Sequence, residues 1–351
     1  MTVELGPVLG FLKQLLNTPS PVGYHAEAIA LVDQAVRALA LPDLTIEHTV
    51  KGALRMTIPG RADDAPRALS AHVDTLGAMV REIKSNGRLL LTQLGGYAWN
   101  AVEGENVTVH CVRGGQRYRG TIQTVAPSVH TSPEHRTGSR DEERMEVRLD
   151  ARTASAQETR VLGIEVGDYV FFDPRVEFTD TGYVKSRHLD DKAGVAVLYA
   201  VLNELARGQT RPAQRTTLFI SNYEEVGHGA ASGIPADVVE LLVVDMAAST
   251  TGEHQNSDEY SVGICAKDSS GPYDLVLRQK LMRLASEQGI MHRIDTYPAY
   301  GSDGSALLRA GGNVRVGLIG PGVDASHAYE RTHVDSLQET IRLALAFVTA
   351  E

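Results

Sequence analysis

Cysteine is scarce in this chain: there are two, Cys111 and Cys265, far apart in sequence. That excludes a thiolate metal cluster and a disulfide framework, and a reducing cytoplasm is the simplest expected home. Long apolar runs are missing as well. None approaches the roughly 20 residues that a membrane span requires. Positive charge is in deficit, with a formal net charge of −10, so nucleic acid, which needs a basic face, is not an expected partner, and neither is a membrane. There is no GxxxxGK[ST] phosphate loop and no dinucleotide-binding glycine fingerprint. Glycine-rich pieces such as "GHGAASG" read as turns. The opening "MTVELGPVLGFLKQLL" lacks the basic start and small-residue cleavage site of a signal peptide and reads as an amphipathic helix. No internal repeat is found.

What is present is an ordinary globular composition: 351 residues, 42% apolar and 22% charged, long enough for a large core and two domains. The first segment alternates helix and strand. "LGPVLGFLKQLLN" and "AEAIALVDQAVRALA" have helical spacing, "LTIEHTV" and "ALRMTIPG" form a hairpin around Lys51 and Gly52, and "RALSAH" reads as a buried strand. Then the character changes. "AMVREI", "RLLLTQL", "NVTVHCV", "YRGTIQTV", "MEVRL" and "DYVFF" are short β runs with few helix signals, broken by the polar loop "APSVHTSPEHRTGSRDEER". Helix–strand alternation returns at "DKAGVAVLYAVLNELARG". The expected organisation is an α/β body, residues 1–74 and 181–351, carrying a β-rich insertion over 75–180.

Several strands of the body end in residues of metal-ligand type. His72 closes "RALSAH", Glu224 and Glu225 follow "TTLFISN", Asp245 closes "ELLVVD", Asp190 opens the helix after "SRHLD", and His327 lies in "SHAYERTH". Ligands bind outside the carboxyl ends of strands in open α/β sheets. Each residue also has a plain reading: Asp190 and Asp191 as helix caps, the Glu pair as a solvated turn, His72 and Asp74 as a chance His-x-Asp. The conjunction is what favours chemistry. Two imidazoles and three carboxylates offer five ligands for two divalent ions, with one carboxylate left as a base. Asp190, at a helix N-terminus, suits a bridging role. On an extended strand end Glu224 and Glu225 point to opposite sides, so one can ligate while its neighbour faces substrate. Asp74, two residues after His72, is placed to orient that imidazole. His327 is preferred over its rival His333, and His188 and His228 are set aside as extra ligands.

"SAHVDTLGAMVREI", "GDYVFFDP", "HLDDKAGVAVL", "YEEVGHGAA", "VVDMA" and "YGSDGSALLRAGG" resemble, in order, motifs of the tetrahedral (TET-type) aminopeptidases, metallopeptidase family 42 of clan MH. Some members of that family carry an older endoglucanase or cellulase label. The resemblance implies an α/β/α sandwich with a mixed central sheet, plus an inserted β-rich oligomerisation domain. It implies two divalent ions, zinc or cobalt and less readily manganese. His72, Asp190 and Asp245 would hold one ion and Asp190, Glu225 and His327 the other, with Glu224 as general base and the Asp190–Asp191 peptide cis. The implied activity is removal of N-terminal residues from short peptides by a metal-activated water, in a homo-oligomer, a dodecamer built from dimers. Two departures stand out. Glu330 falls closer to His327 than the family ending has it, and "GSDG" replaces Gly-Thr-Asp. A metal-dependent amidase or deacylase on a small N-acyl compound and a non-catalytic scaffold are the competing readings. A glycosidase would leave His72 and His327 idle.

Overall fold

The computed structural model describes residues 3–249 and 254–351. The chain divides into two compact units, Met1–Asp74 with Arg175–Glu351, and Thr75–Pro174.

The first unit is built on a mixed sheet of 13 strands. Its centre is four parallel strands in the order Gln214–Ser221, Ala62–His72, Glu240–Val244 and Arg315–Asp324. Antiparallel strands flank them: the hairpin Thr45–His48/Leu54–Ile58 on one side, and Glu330–His333, Tyr183–Ser186 and Glu177–Phe178 on the other. The central strands are buried on both faces, as parallel strands covered by helices must be. The side-chain period of two sorts them. Leu242, Val244, Leu69 and Ala71 join the larger core, with Leu12, Leu198, Ile341 and Phe347 from the helices Leu5–Leu16, Leu189–Gly208 and Val334–Thr349. Leu241, Val243, Ala68 and Leu318 face the other way, towards Tyr273, Tyr297 and Leu307. This is the expected α/β/α arrangement with a mixed sheet.

Helix Leu189–Gly208 is buried along most of its length, with Ala193, Val195, Ala196, Val197 and Leu198 fully enclosed. Its first turn is set by Asp191, whose Oδ1 accepts the Gly194 N–H at 3.0 Å, the bonding pattern of an N-terminal cap. Among the described residues no helix is long and apolar enough to cross a membrane.

The second unit is a closed barrel, with strands in the order Gly77–Ile83, Leu89–Leu94, Met145–Leu149, Arg117–Thr124, Asn106–His110 and Tyr169–Phe172. Val80, Leu91, Val107, Ile122, Val147 and Val170 fill it. Closure removes the open edges that a β-rich insertion would otherwise present. The unit ends at Pro174 rather than 180. The reason is pairing: Glu177–Phe178 bonds to Tyr183–Ser186, which bonds to Glu330–His333 of the large sheet.

One close approach links the sheet to the residues beyond its carboxyl edge. The Asp245 N–H donates to the Ile319 carbonyl at 3.0 Å, and a Cβ on the next residue, Gly320, would lie 1.6 Å from the Asp245 carbonyl oxygen. Backbone must move to admit any side chain there. Gly320→Ala is expected to lower folding stability by about 1–3 kcal/mol or more, read as a shifted denaturation midpoint. An unchanged midpoint would show that the contact is soft.

Candidate metal centre

His72 ends its strand fully enclosed. Its Nδ1 lies 3.0 Å from the Asp74 carbonyl oxygen. A carbonyl only accepts, so Nδ1 carries a proton and Nε2 is the ring nitrogen left to meet a cation. That Nε2 faces Asp190 Oδ1 at 3.2 Å and Glu224 Oε2 at 3.8 Å. On the far side of the same carboxylate, Asp190 Oδ2 lies 3.3 Å from His327 Nε2. One carboxylate therefore stands between two imidazoles, an oxygen toward each. Glu225 Oε2 approaches His327 Nε2 at 3.6 Å, while its Oε1 is buried without a hydrogen-bond partner. Asp245, just past its strand, completes the group.

The backbone explains how these side chains meet. The Asp190–Asp191 peptide is cis, and neither residue is helical, with ψ of 108° and 34°. Asp191 is the cap that the plain reading gives it, and its Oδ2 also accepts the His72 N–H at 3.2 Å. Glu224 and Glu225 do not sit on an extended strand end. Tyr223 adopts a left-handed conformation (φ 64°) and turns the chain into a single 3₁₀ turn, Glu224–Val226. Asp74 captures this turn: its Oδ1 and Oδ2 accept the N–H groups of Glu224 and Glu225, each at 3.2 Å. The expected carboxylate–imidazole bond from Asp74 is replaced by the one to its carbonyl, its Oδ1 standing 3.6 Å from Nδ1.

The sequence marked Glu330 as a departure in spacing but gave it no role. This buried carboxylate accepts the Asp190 N–H on Oε2 at 3.0 Å and the His327 N–H on Oε1 at 3.1 Å. It ties together two residues that face each other in the site. Its shortened spacing from His327 was the signal, and it is accommodated by left-handed conformations at Ala325 and His327 (φ 57° and 63°). Asp303, in "GSDG", was also missed: it accepts from Ser221 Oγ at 2.6 Å and the Ala230 N–H at 2.8 Å. The rival His333 lies elsewhere. Its Nε2 donates to the Thr181 carbonyl at 3.0 Å and its Nδ1 accepts the Asp335 N–H, capping the last helix.

Crowding sets the electrostatics. Burial, and then repulsion from Asp190, push Glu225 up to about 8 and Asp245 up to about 7. Burial raises Glu224 and Glu330 well above the usual carboxylate range. Asp190 goes the other way: burial opposes its charge, but bonds to His327 and His72 hold it below that range. Burial likewise opposes charge on His72, yet its bond to Asp190 and the nearby carboxylates of Asp74 and Glu224 keep its pKa well above normal. Carboxyls pushed towards their neutral form, beside an orphaned buried oxygen, have the chemistry of a cation's donor set. Two overlapping sets, His72–Glu224–Asp245 and His72–Asp190–Glu225, have ligand atoms within 4.8 Å of one another. The nitrogen and carboxylate donors fit a divalent ion. Beside them opens a cavity of about 630 Å³, walled by Met246, Tyr297 and Tyr300.

The family model described as M42 glutamyl aminopeptidase matches residues 52–343. The chain belongs to that family. A Bacillus subtilis (strain 168) protein, provisionally named aminopeptidase YhfE, is 45% identical over 337 residues, 96% of each chain. The TET aminopeptidase of a marine-sediment Thaumarchaeota archaeon superposes with a TM-score of 0.88 at 18% identity, covering 98% of this chain and 97% of that one. The Pyrococcus horikoshii TET1 peptidase gives 0.82 at 20%, covering 98% and 100%, and a Thermotoga maritima structure titled endoglucanase gives 0.74 at 18%, covering 96% of each. This M42 chain is thus a peptide-bond hydrolase with a site of metal-ligand type.

In the metal-free M42 chain, Glu225 and Asp245 hold protons up to about pH 8 and about pH 7, against roughly pH 4 for unfolded carboxyls. Between those limits the folded chain binds more protons than the unfolded one. Their contribution to stability is therefore full below about pH 4, falls from there as the unfolded carboxyls ionise, and is gone once pH has passed about 7–8. With chelator present, the denaturation midpoint of Glu225→Gln is expected to fall less from about pH 6 to about pH 8.5 than that of the wild type. Equal falls would remove Glu225 from this account.

Proposed function

We propose that the chain is a di-metal aminopeptidase that releases N-terminal residues from short peptides. The observation that carries this reading is Asp190, with one oxygen 3.2 Å from His72 Nε2 and the other 3.3 Å from His327 Nε2. A carboxylate so placed serves as the anion between two cations that would otherwise repel. His72, Asp190 and Asp245 would hold one ion, and Asp190, Glu225 and His327 the other. Zinc or cobalt suits this imidazole and carboxylate set. When bound, the pair supplies a water-derived nucleophile at neutral pH and draws electron density from the scissile carbonyl.

The chain's own groups do the rest. Glu224 borders the cavity with its Oε2 3.8 Å from His72 Nε2, where it can take the proton of the attacking water and return it to the leaving amine. Asp74 fixes Glu224 through the backbone, and Glu330 fixes Asp190 and His327 in the same way. A second reading has Glu224 as a ligand, because one of its carboxylate oxygens falls in a set with His72 and Asp245. An amidase or deacylase acting on a small N-acyl compound would use the same residues and differ in what recognises the substrate's ends. A non-catalytic scaffold would leave the buried carboxylates without use.

Glu224→Gln keeps the shape of the side chain and removes the base. The metal-loaded variant is expected to retain its ions and lose about 10²–10⁴-fold in turnover, measured on aminoacyl-anilides and free peptides beside N-acetylated controls. Loss of metal would make Glu224 a ligand, and a preference of the wild type for the N-acylated compounds would turn the reading to a deacylase.

The barrel Thr75–Pro174 is proposed as the assembly unit, in a dodecamer whose active sites face an inner chamber. Support comes from the Pyrococcus horikoshii relative, whose structures are titled a dodecamer and a tetrahedron or octahedral shell. Closed symmetry is the usual outcome for such interfaces. Light scattering on the purified chain is expected to report a particle of twelve copies. A monomer at micromolar concentration defeats the proposal, and a dimer removes the chamber.

A further inference from the structure

The loop that carries Glu224 is gripped by a residue to which no role has been given. Lys51 sits at the tip of the hairpin Thr45–His48/Leu54–Ile58, and its Nζ donates to the carbonyls of His228 and Gly229, the latter at 2.7 Å. Nζ also stands 5.7 Å from the centre of the Tyr223 ring, and Asn222 Nδ2 donates to the Lys51 carbonyl at 2.9 Å. One residue of the hairpin therefore holds both ends of the 222–229 loop, whose middle is the Glu224–Val226 turn.

The link to Glu224 itself is short. A Cβ on Gly229 would lie 3.1 Å from Glu224 Cα, 3.2 Å from its Cβ and 2.1 Å from Asp303 Oδ1. Gly229, whose carbonyl Lys51 holds, is thus packed directly on Glu224. The N–H groups of Glu224 and Glu225 go to the Asp74 carboxylate, and that of Ala230 to Asp303. The loop's carbonyls at 228 and 229 go to the Lys51 ammonium; burial opposes that charge, and the Asp303 and Asp74 carboxylates favour it. The hairpin tip is shaped for this. Gly52 is left-handed (φ +86°), and a Cβ there would fall 2.1 Å from His25 Nε2 and 3.2 Å from Asn222 Nδ2. A solvated surface lysine would leave its flexible stem free, whereas here the order it loses is exchanged for two carbonyl bonds to a catalytic loop.

We propose that Lys51 is a positioning residue for the reaction: by holding the His228 and Gly229 carbonyls against Glu224, it fixes the carboxylate that moves the proton. The inference rests on the reading of Glu224 as the base. A misplacement of about 1 Å in such a group can lower the rate about 10²-fold, and it acts on the chemical step rather than on substrate binding.

The test compares wild type, Lys51→Ala and Glu224→Gln, all loaded with zinc or cobalt, on leucine and glutamate p-nitroanilides. Lys51→Ala is expected to lose about tenfold to a hundredfold in kcat with KM nearly unchanged, and to keep its metal content. Its 222–230 amides should exchange faster with deuterium while the strand Glu240–Val244 keeps its protection. Added ethylammonium, which replaces the lost amine, should restore part of kcat in Lys51→Ala and none in Glu224→Gln. An active wild type with unchanged kcat in Lys51→Ala overturns the inference alone. So does a loss of kcat that comes with lost metal and does not respond to the amine. A wild type inert on both anilides, or a fully active Glu224→Gln, overturns the reading of the site and the inference with it.

Discussion

The structure depends on keeping several carboxylates out of water within a few ångströms of each other. Asp190, Asp191, Glu224, Glu225, Asp245 and Glu330 converge around two imidazoles beyond the edge of a parallel sheet. Without compensation such a group is expensive to bury, and the raised pKa values of Glu225 and Asp245 record the strain of doing so. A bound cation would relieve it, and the surrounding polar architecture holds these groups in place.

That architecture works through the backbone. Asp74 holds the N–H groups of the Glu224–Glu225 turn, Glu330 those of Asp190 and His327, and Asp191 that of His72. Charged hydrogen bonds to main-chain N–H groups are directional and short-reaching, so each fixes a side chain by fixing the chain that carries it. The parallel strands provide the platform. Ser221 pairs with His72, and Val244 with Ile319, so the strand ends arrive at one edge together. The glycine at 320 lets the Asp245 carbonyl come close enough to join them.

The barrel follows a different rule. Its strands close on themselves around an apolar filling, and it interrupts the chain immediately after Asp74, one of the residues that organise the site. Asp74 itself stays with the first unit, bonded to the Glu224–Glu225 turn.

Local pattern determined much of this. The continuous apolar runs of the central strands, the helical spacing of Leu5–Leu16 and Leu189–Gly208, and the six short β runs of the insertion were all legible, because hydrophobic patterning is a local property. So was the set of residue types at strand ends, and with it the family. Tertiary structure decided the rest. Glu224 and Glu225 lie on a turn because Tyr223 goes left-handed and Asp74, 150 residues away in sequence from Glu224, waits for their N–H groups. His327 rather than His333 meets Asp190, because His333 is taken up in capping a helix and bonding Thr181. Glu330 organises the site across 140 residues of sequence. The boundary at Pro174 follows from a strand pairing that adds Glu177–Phe178 to the large sheet. A residue's type and its period along the chain are written in the sequence. Which distant N–H a buried carboxylate will reach depends on the packing of the whole sheet, and only the folded chain supplies that.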